Sequence, residues 1–88
     1  MIINTKHLKN KIIYRANYRG TKEMDKLLSS FANKYINQLK DEELQLLCDL
    51  LDYDDENLYK LNQGQQTTID FKDNTVTQLL KKFKYIAE

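Results

Sequence analysis

Met24-Asp25-Lys26-Leu27-Leu28-Ser29-Ser30-Phe31-Ala32-Asn33-Lys34-Tyr35-Ile36-Asn37-Gln38-Leu39 is the stretch that decides the fold class. Met24, Leu27, Leu28, Phe31, Ala32, Tyr35, Ile36 and Leu39 follow the i, i+3, i+4, i+7 recurrence of one helix face without a miss. A stripe this continuous must form one wall of a core. The rest of the composition agrees: among 88 residues there is no proline and only two glycines, Gly20 and Gly64, with 41% hydrophobic and 31% charged residues. Such a chain favours an all-α protein over a disordered or β-rich one.

Working outward, Thr5 to about Tyr14 carries Leu8, Ile12 and Ile13 among lysines, a short amphipathic helix with Thr5 or Asn4 as its N-cap. On the other side, Asp41, Glu42 and Glu43 suit the positive end of a third helix, which buries Leu44, Leu47, Cys48 and Leu51; Leu46 and Leu50 widen its apolar face. Asp52 to Asp55 read as a turn. Asp54 or Asp55 then caps a fourth helix through Leu58, Tyr59 and Leu61, which Gly64 can end in the left-handed conformation. After a polar connection anchored by Ile69 and Phe71, Asp73 or Asn74 caps a last helix bearing Val76, Leu79, Leu80, Phe83 and Ile86 or Ala87. The expectation is a small five-helix bundle in one domain, residues 1–88, without internal repeat or linker. A chain of this size buries only somewhat more than ~60% of its unfolded surface, so large ligand cavities are not expected.

Net charge is +1, but it is unevenly placed. Lys6, Lys9, Lys11, Arg15, Arg19 and Lys22 precede the first acid, Glu23, whereas Asp41 to Glu56 holds eight acids and no base. This split reads either as a dipole that steers an encounter with a partner or as two solvated faces of opposite sign. One cysteine, Cys48, excludes an internal disulfide and fits a reducing compartment. The start Met1-Ile2-Ile3-Asn4-Thr5-Lys6 lacks the apolar core of a signal peptide, and no run approaches ~18 apolar residues, so neither secretion nor membrane insertion is expected. Bacterial cytoplasm is favoured over a mitochondrial matrix.

The chain offers little to a catalyst. His7 lies in the lysine-rich first helix and Cys48 on the apolar face of the third, so a nucleophile–base pair is not expected, and one Cys with one His supplies no zinc set. A calcium loop beginning at Asp52 would need glycine where Asn57 stands and glutamate where Gln63 stands. No glycine-rich loop cradles phosphate. The reading is therefore a protein that is not an enzyme and holds no metal. Nucleic-acid binding through the basic first helix, with Tyr14 and Tyr18 nearby, is the alternative, although a pI near 7.8 falls short of the usual footprint above ~9.

Tyr18-Arg19-Gly20-Thr21-Lys22-Glu23-Met24-Asp25 sets an arginine and a glycine just ahead of the second helix, with two carboxylates in its first turn or so. One reading is structural: with Gly20 as N-cap, Glu23 falls at N3, where its carboxylate can accept the cap N–H, and a surface cap tolerates substitution. The other is docking. A glycine beside an exposed arginine lets a partner come close to the backbone while the guanidinium forks onto carboxylate or phosphate.

The segment from Ile12 through Leu28, with Phe31-Ala32, resembles the small SdhE-type succinate dehydrogenase assembly factors, which carry an Arg-Gly-x-x-Glu-Leu/Met-Asp motif. Asp41-Glu42-Glu43-Leu44, Leu50-Leu51, Asp55-Glu56-Asn57-Leu58-Tyr59 and Gly64 follow in the order of that family, so residues 12 to 65 are covered. The resemblance implies a five-helix factor that binds the flavoprotein subunit of succinate dehydrogenase and promotes covalent attachment of FAD to it. Fumarate reductase is a second candidate client. FAD would sit on the partner, with no cofactor on this chain. The functional motif falls on Arg19, Gly20 and Glu23, with Asp25 beside them and Arg15 one helical turn earlier. Two departures stand out: Thr21 where family members often have methionine, and Leu61 where a tryptophan follows the Leu-Tyr pair.

Overall fold

The computed structural model describes residues 4–84 and contains five helices: α1 (Thr5–Asn17), α2 (Lys22–Tyr35), α3 (Asp41–Leu50), α4 (Asp55–Asn62) and α5 (Thr75–Lys82). Their ends follow from side-chain chemistry. Asn4, Thr21, Asp54 and Asn74 each accept a backbone N–H from the first turn of the following helix, satisfying a donor that the helix itself leaves orphaned. At α3 the cap runs the other way, with the Lys40 N–H donating to Glu43 Oε1 at 2.9 Å. Gly64 adopts φ +71 after α4, and the bonds Gln65 N to Lys60 O (2.8 Å) and Gly64 N to Leu61 O (3.3 Å) complete a Schellman end.

α1 packs on α2 and α3, and α5 closes against α3 and α4. Thr5 Oγ1 donates to Asp41 Oδ1 (2.9 Å) where α1 and α3 begin, and Arg15 Nη1 donates to Cys48 O (3.2 Å) towards their far ends, so these two helices run parallel. The core gathers Ile12, Leu28, Phe31, Leu44, Leu47, Leu58, Val76 and Leu80, all essentially without exposure. Phe31 stacks edge-on with Tyr35 and Phe83 at 5.2 and 5.3 Å between ring centroids. Truncating such a ring to alanine costs about 3–5 kcal/mol.

The all-α reading holds, and the helical stripe of α2 is buried as its spacing dictates. Its helix stops at Tyr35, though Ile36 remains buried and Leu39 packs against the core from the following turn. α1 is longer than expected, reaching Asn17 and burying Ala16. Leu46 does not widen the apolar face of α3; it is exposed, while Leu50 is buried. The last apolar position expected on the final helix, Ile86 or Ala87, lies outside the described residues. Three buried polar side chains, Asn57, Asn62 and Thr77, were not among the expected core residues. Asn57 Oδ1 accepts from the Thr68 N–H (2.9 Å) and hydroxyl (3.0 Å), which fastens the long connection to α4. Asn62 Nδ2 donates to Leu80 O and Phe83 O, both at 2.9 Å, and so caps the end of α5.

Candidate functional site

The turn between α1 and α2 depends on Gly20, whose φ of +108 lies where L side chains rarely go. Space is not the constraint, since a Cβ there would meet nothing within 4 Å. Thr21, not Gly20, is the N-cap of α2: its Oγ1 accepts the Met24 N–H at 3.2 Å. Glu23 consequently sits at N2 and makes no capping-box bond. The carboxylate that serves the turn is Asp25, whose Oδ1 accepts the Arg19 N–H at 2.5 Å. A surface cap at Gly20, indifferent to substitution, is therefore corrected to a position that demands glycine through its backbone angle.

Arg19 is the second correction. Its side chain is only 10% exposed and is spent within the molecule. Nε donates to Asp55 Oδ1 (2.8 Å), Nη1 to Leu51 O (2.6 Å) and Nη2 to Tyr53 O (2.7 Å). The planar fork thus caps the end of α3 and ion-pairs with the first residue of α4, three charge-assisted bonds holding the α3–α4 turn to the α1–α2 corner. One turn earlier Arg15 does the same at smaller scale, pairing with Asp52 and donating to Cys48 O, with Cys48 Sγ 3.6 Å away. Part of the basic stretch and part of the acidic stretch have found each other inside the fold.

What remains open at the corner is different in kind. Gly20, Thr21, Lys22 and Glu23 are exposed, and Glu23 makes no ion pair or side-chain hydrogen bond among the described residues. Tyr14 and Tyr18 are 66% and 71% exposed and stack on each other with centroids 4.7 Å apart. From Glu23 an open groove of about 950 Å³ runs between α2, α4 and the end of α5. Met24, Leu27, Phe83 and the half-exposed ring of Tyr59 give it an apolar surface. It is larger than a chain of this length led us to expect, because it is a surface trough and not an enclosed cavity.

The fold thus gathers Arg19, Gly20, Glu23 and Asp25 at one corner, with Arg15 one turn back, but only Gly20 and Glu23 face solvent there without engagement. The partners of Arg19 were missed: two are backbone carbonyls, which leave no mark in a sequence, and the third, Asp55, stood as a candidate cap of α4. Of the fourth-helix residues Leu58, Tyr59 and Leu61, the two leucines are buried and Tyr59 turns out to the groove. His7 is exposed in the first turn of α1 while Cys48 is buried beside Arg15, and the carboxylates of the Asp52 to Glu56 run diverge, Asp52 to Arg15, Asp54 to the cap of α4, Asp55 to Arg19 and Glu56 to Lys60. No group of three His, Cys, Asp or Glu side chains able to hold a metal occurs among the described residues. No helix among them is long and apolar enough to cross a membrane.

Comparison with known proteins finds neither a curated protein nor a solved structure that matches the chain. A family model does match over residues 10–84, and its description is flavinator of succinate dehydrogenase, Sdh5.

Proposed function

The chain belongs to the flavinator family of succinate dehydrogenase, and from that premise we propose that it binds the flavoprotein subunit of succinate dehydrogenase and promotes covalent attachment of FAD there. One observation carries the reading: the matched stretch contains the whole of Arg19-Gly20-Thr21-Lys22-Glu23-Met24-Asp25, and that corner is presented at the surface through Gly20 and Glu23. Gly20, having no side chain, lets the flavoprotein backbone approach. Glu23 offers a carboxylate free to accept hydrogen bonds. Asp25, Arg19 and Arg15 are positioning residues, because their own bonds are directed at the turn and at the α3–α4 loop.

In this role the chain is not an enzyme and FAD belongs to the flavoprotein. Binding selects the flavoprotein conformation in which the nucleophilic side chain and the flavin are aligned, and orientation alone can contribute several kcal/mol to lowering a barrier. The alternative of nucleic-acid binding through α1 is weakened by the inward commitment of its Arg15, and of Arg19 just beyond its end. The test is in-gel flavin fluorescence of the denatured flavoprotein, co-expressed with or without this chain in a host lacking its own factor. Fluorescence that requires the chain is the expected result; equal fluorescence without it removes the assembly role.

A further inference from the structure

The groove beside the corner carries a charge imbalance that the fold does not neutralise. At its corner end two of the three acids are matched: Asp55 is held by Arg19 and Glu56 pairs with Lys60 at 3.2 Å, while Glu23 and Lys22 make no ion pair among the described residues. Further along, Lys26 on α2 and Lys81 and Lys84 at the end of α5 line the same groove, all exposed, and none makes an ion pair among the described residues. The direction is fixed by α4, whose first residue binds Arg19 and whose Asn62 binds the last carbonyls of α5. Between the two ends lie Met24, Leu27, Tyr59 and Phe83. An aromatic ring 48% exposed in an apolar trough is the kind of anchor that dominates protein interfaces.

We infer that this groove takes a segment of the flavoprotein bearing an apolar side chain on the Tyr59 floor and, next to it, carboxylates facing Lys26, Lys81 and Lys84. The inference rests on the assembly reading and adds to it a second contact surface with a defined chemistry. Three lysines without ion-pair partners among the described residues, against one unpaired acid, Glu23, at the corner end, attract an acidic segment to their end and repel a basic one, which fixes both the choice and the direction of the occupant. Free FAD is the weaker match. The groove presents mobile lysine point charges and no glycine-rich loop of backbone N–H groups to hold a pyrophosphate.

The experiment replaces Tyr59 in the full chain with the photoreactive benzoylphenylalanine, irradiates it with the apo flavoprotein, and identifies the captured peptide by mass spectrometry. A flavoprotein segment with an apolar residue flanked by Asp or Glu is expected. Capture of a basic segment, of residues 85–88 of this chain, or of a second copy overturns the inference. In parallel, Lys81→Glu with Lys84→Glu should weaken flavoprotein binding by at least about tenfold with melting unchanged, both side chains being exposed. Unchanged affinity overturns the groove while the native chain's restoration of flavin fluorescence keeps the assembly role; failure of the native chain to bind or restore fluorescence removes that role itself. FAD binding in the groove by the chain alone, read by quenching of flavin fluorescence and lost in the double lysine variant, also overturns it.

Discussion

Two regions meet at the start of α2 and treat charge in opposite ways. On one side, Arg19 and Arg15 stitch the corner to the α3–α4 turn, and each guanidinium ends on a carboxylate or a carbonyl of the same chain. On the other, Glu23 and the groove lysines Lys26, Lys81 and Lys84 are left without partners among the described residues. The difference separates two kinds of motif residue. A motif arginine turned inward acts on a partner only by shaping the surface, whereas an exposed glutamate can touch it directly.

Removing the stitch should have the largest effect. Arg19→Ala leaves Asp55, Leu51 O and Tyr53 O without a well-buried donor, so a loss of about 3 kcal/mol or more is expected. In a chain of this size that is a fall in Tm of roughly 10–20 °C, readable by circular dichroism. Arg19→Lys should recover little, because one ammonium cannot span a fork of three acceptors. An Arg19→Ala protein that melts like the native chain would break the comparison at its root.

Gly20→Ala tests the turn between the two regions. With φ at +108, a Cβ brings strain of about 1–2 kcal/mol although nothing crowds it. Thermal melting should register that loss, and partner affinity should fall by more than stability predicts if the turn also touches the flavoprotein. Glu23→Ala comes next and sharpens the contrast most. Near a helix N-terminus its removal should cost stability only about 0.3–1 kcal/mol, yet flavin fluorescence should drop far below that of the native chain. Equal losses in melting and in flavinylation would reduce Glu23 to a helix-end charge.

The smallest effect is acid-dependent. Hydrogen bonds from the Asn57 side chain and backbone hold the Asp54 carboxyl below its ordinary 3.8. A carboxyl whose folded pKa is depressed contributes stability that is complete above its unfolded value and disappears as pH falls through the folded one. Asp54→Asn should therefore remove part of the loss of stability below about pH 4 and leave the rest of the pH profile unchanged, as followed by urea titration at several pH values.

Much of the scaffold was legible because it is governed by local rules. The α2 stripe, the three caps narrowed to two neighbours each and falling on Asn4, Asp54 and Asn74, and the left-handed stop at Gly64 each depend on residues within a few positions of one another. Errors came where a local rule had competitors. Both Gly20 and Thr21 are acceptable N-caps, and only the backbone angle assigns the turn to one and the cap to the other. Leu46 and Leu50 look alike on α3 until packing buries one and exposes the other. At the candidate site the motif itself was readable, but the inward turn of Arg19 was not.

By itself, then, the sequence determined a helical chain, the starts of most helices to within a residue and the placing of Arg19, Gly20, Glu23 and Asp25 at one corner, since periodicity and capping act over a turn or two. Only the tertiary structure decided which charges are consumed and which are offered. Arg19 meets Asp55 across 36 positions, and its other acceptors are carbonyls at the end of α3, so its role exists only once α1, α3 and α4 have packed together. The same packing leaves Glu23 and the groove lysines facing outward, with no ion pair to another described residue.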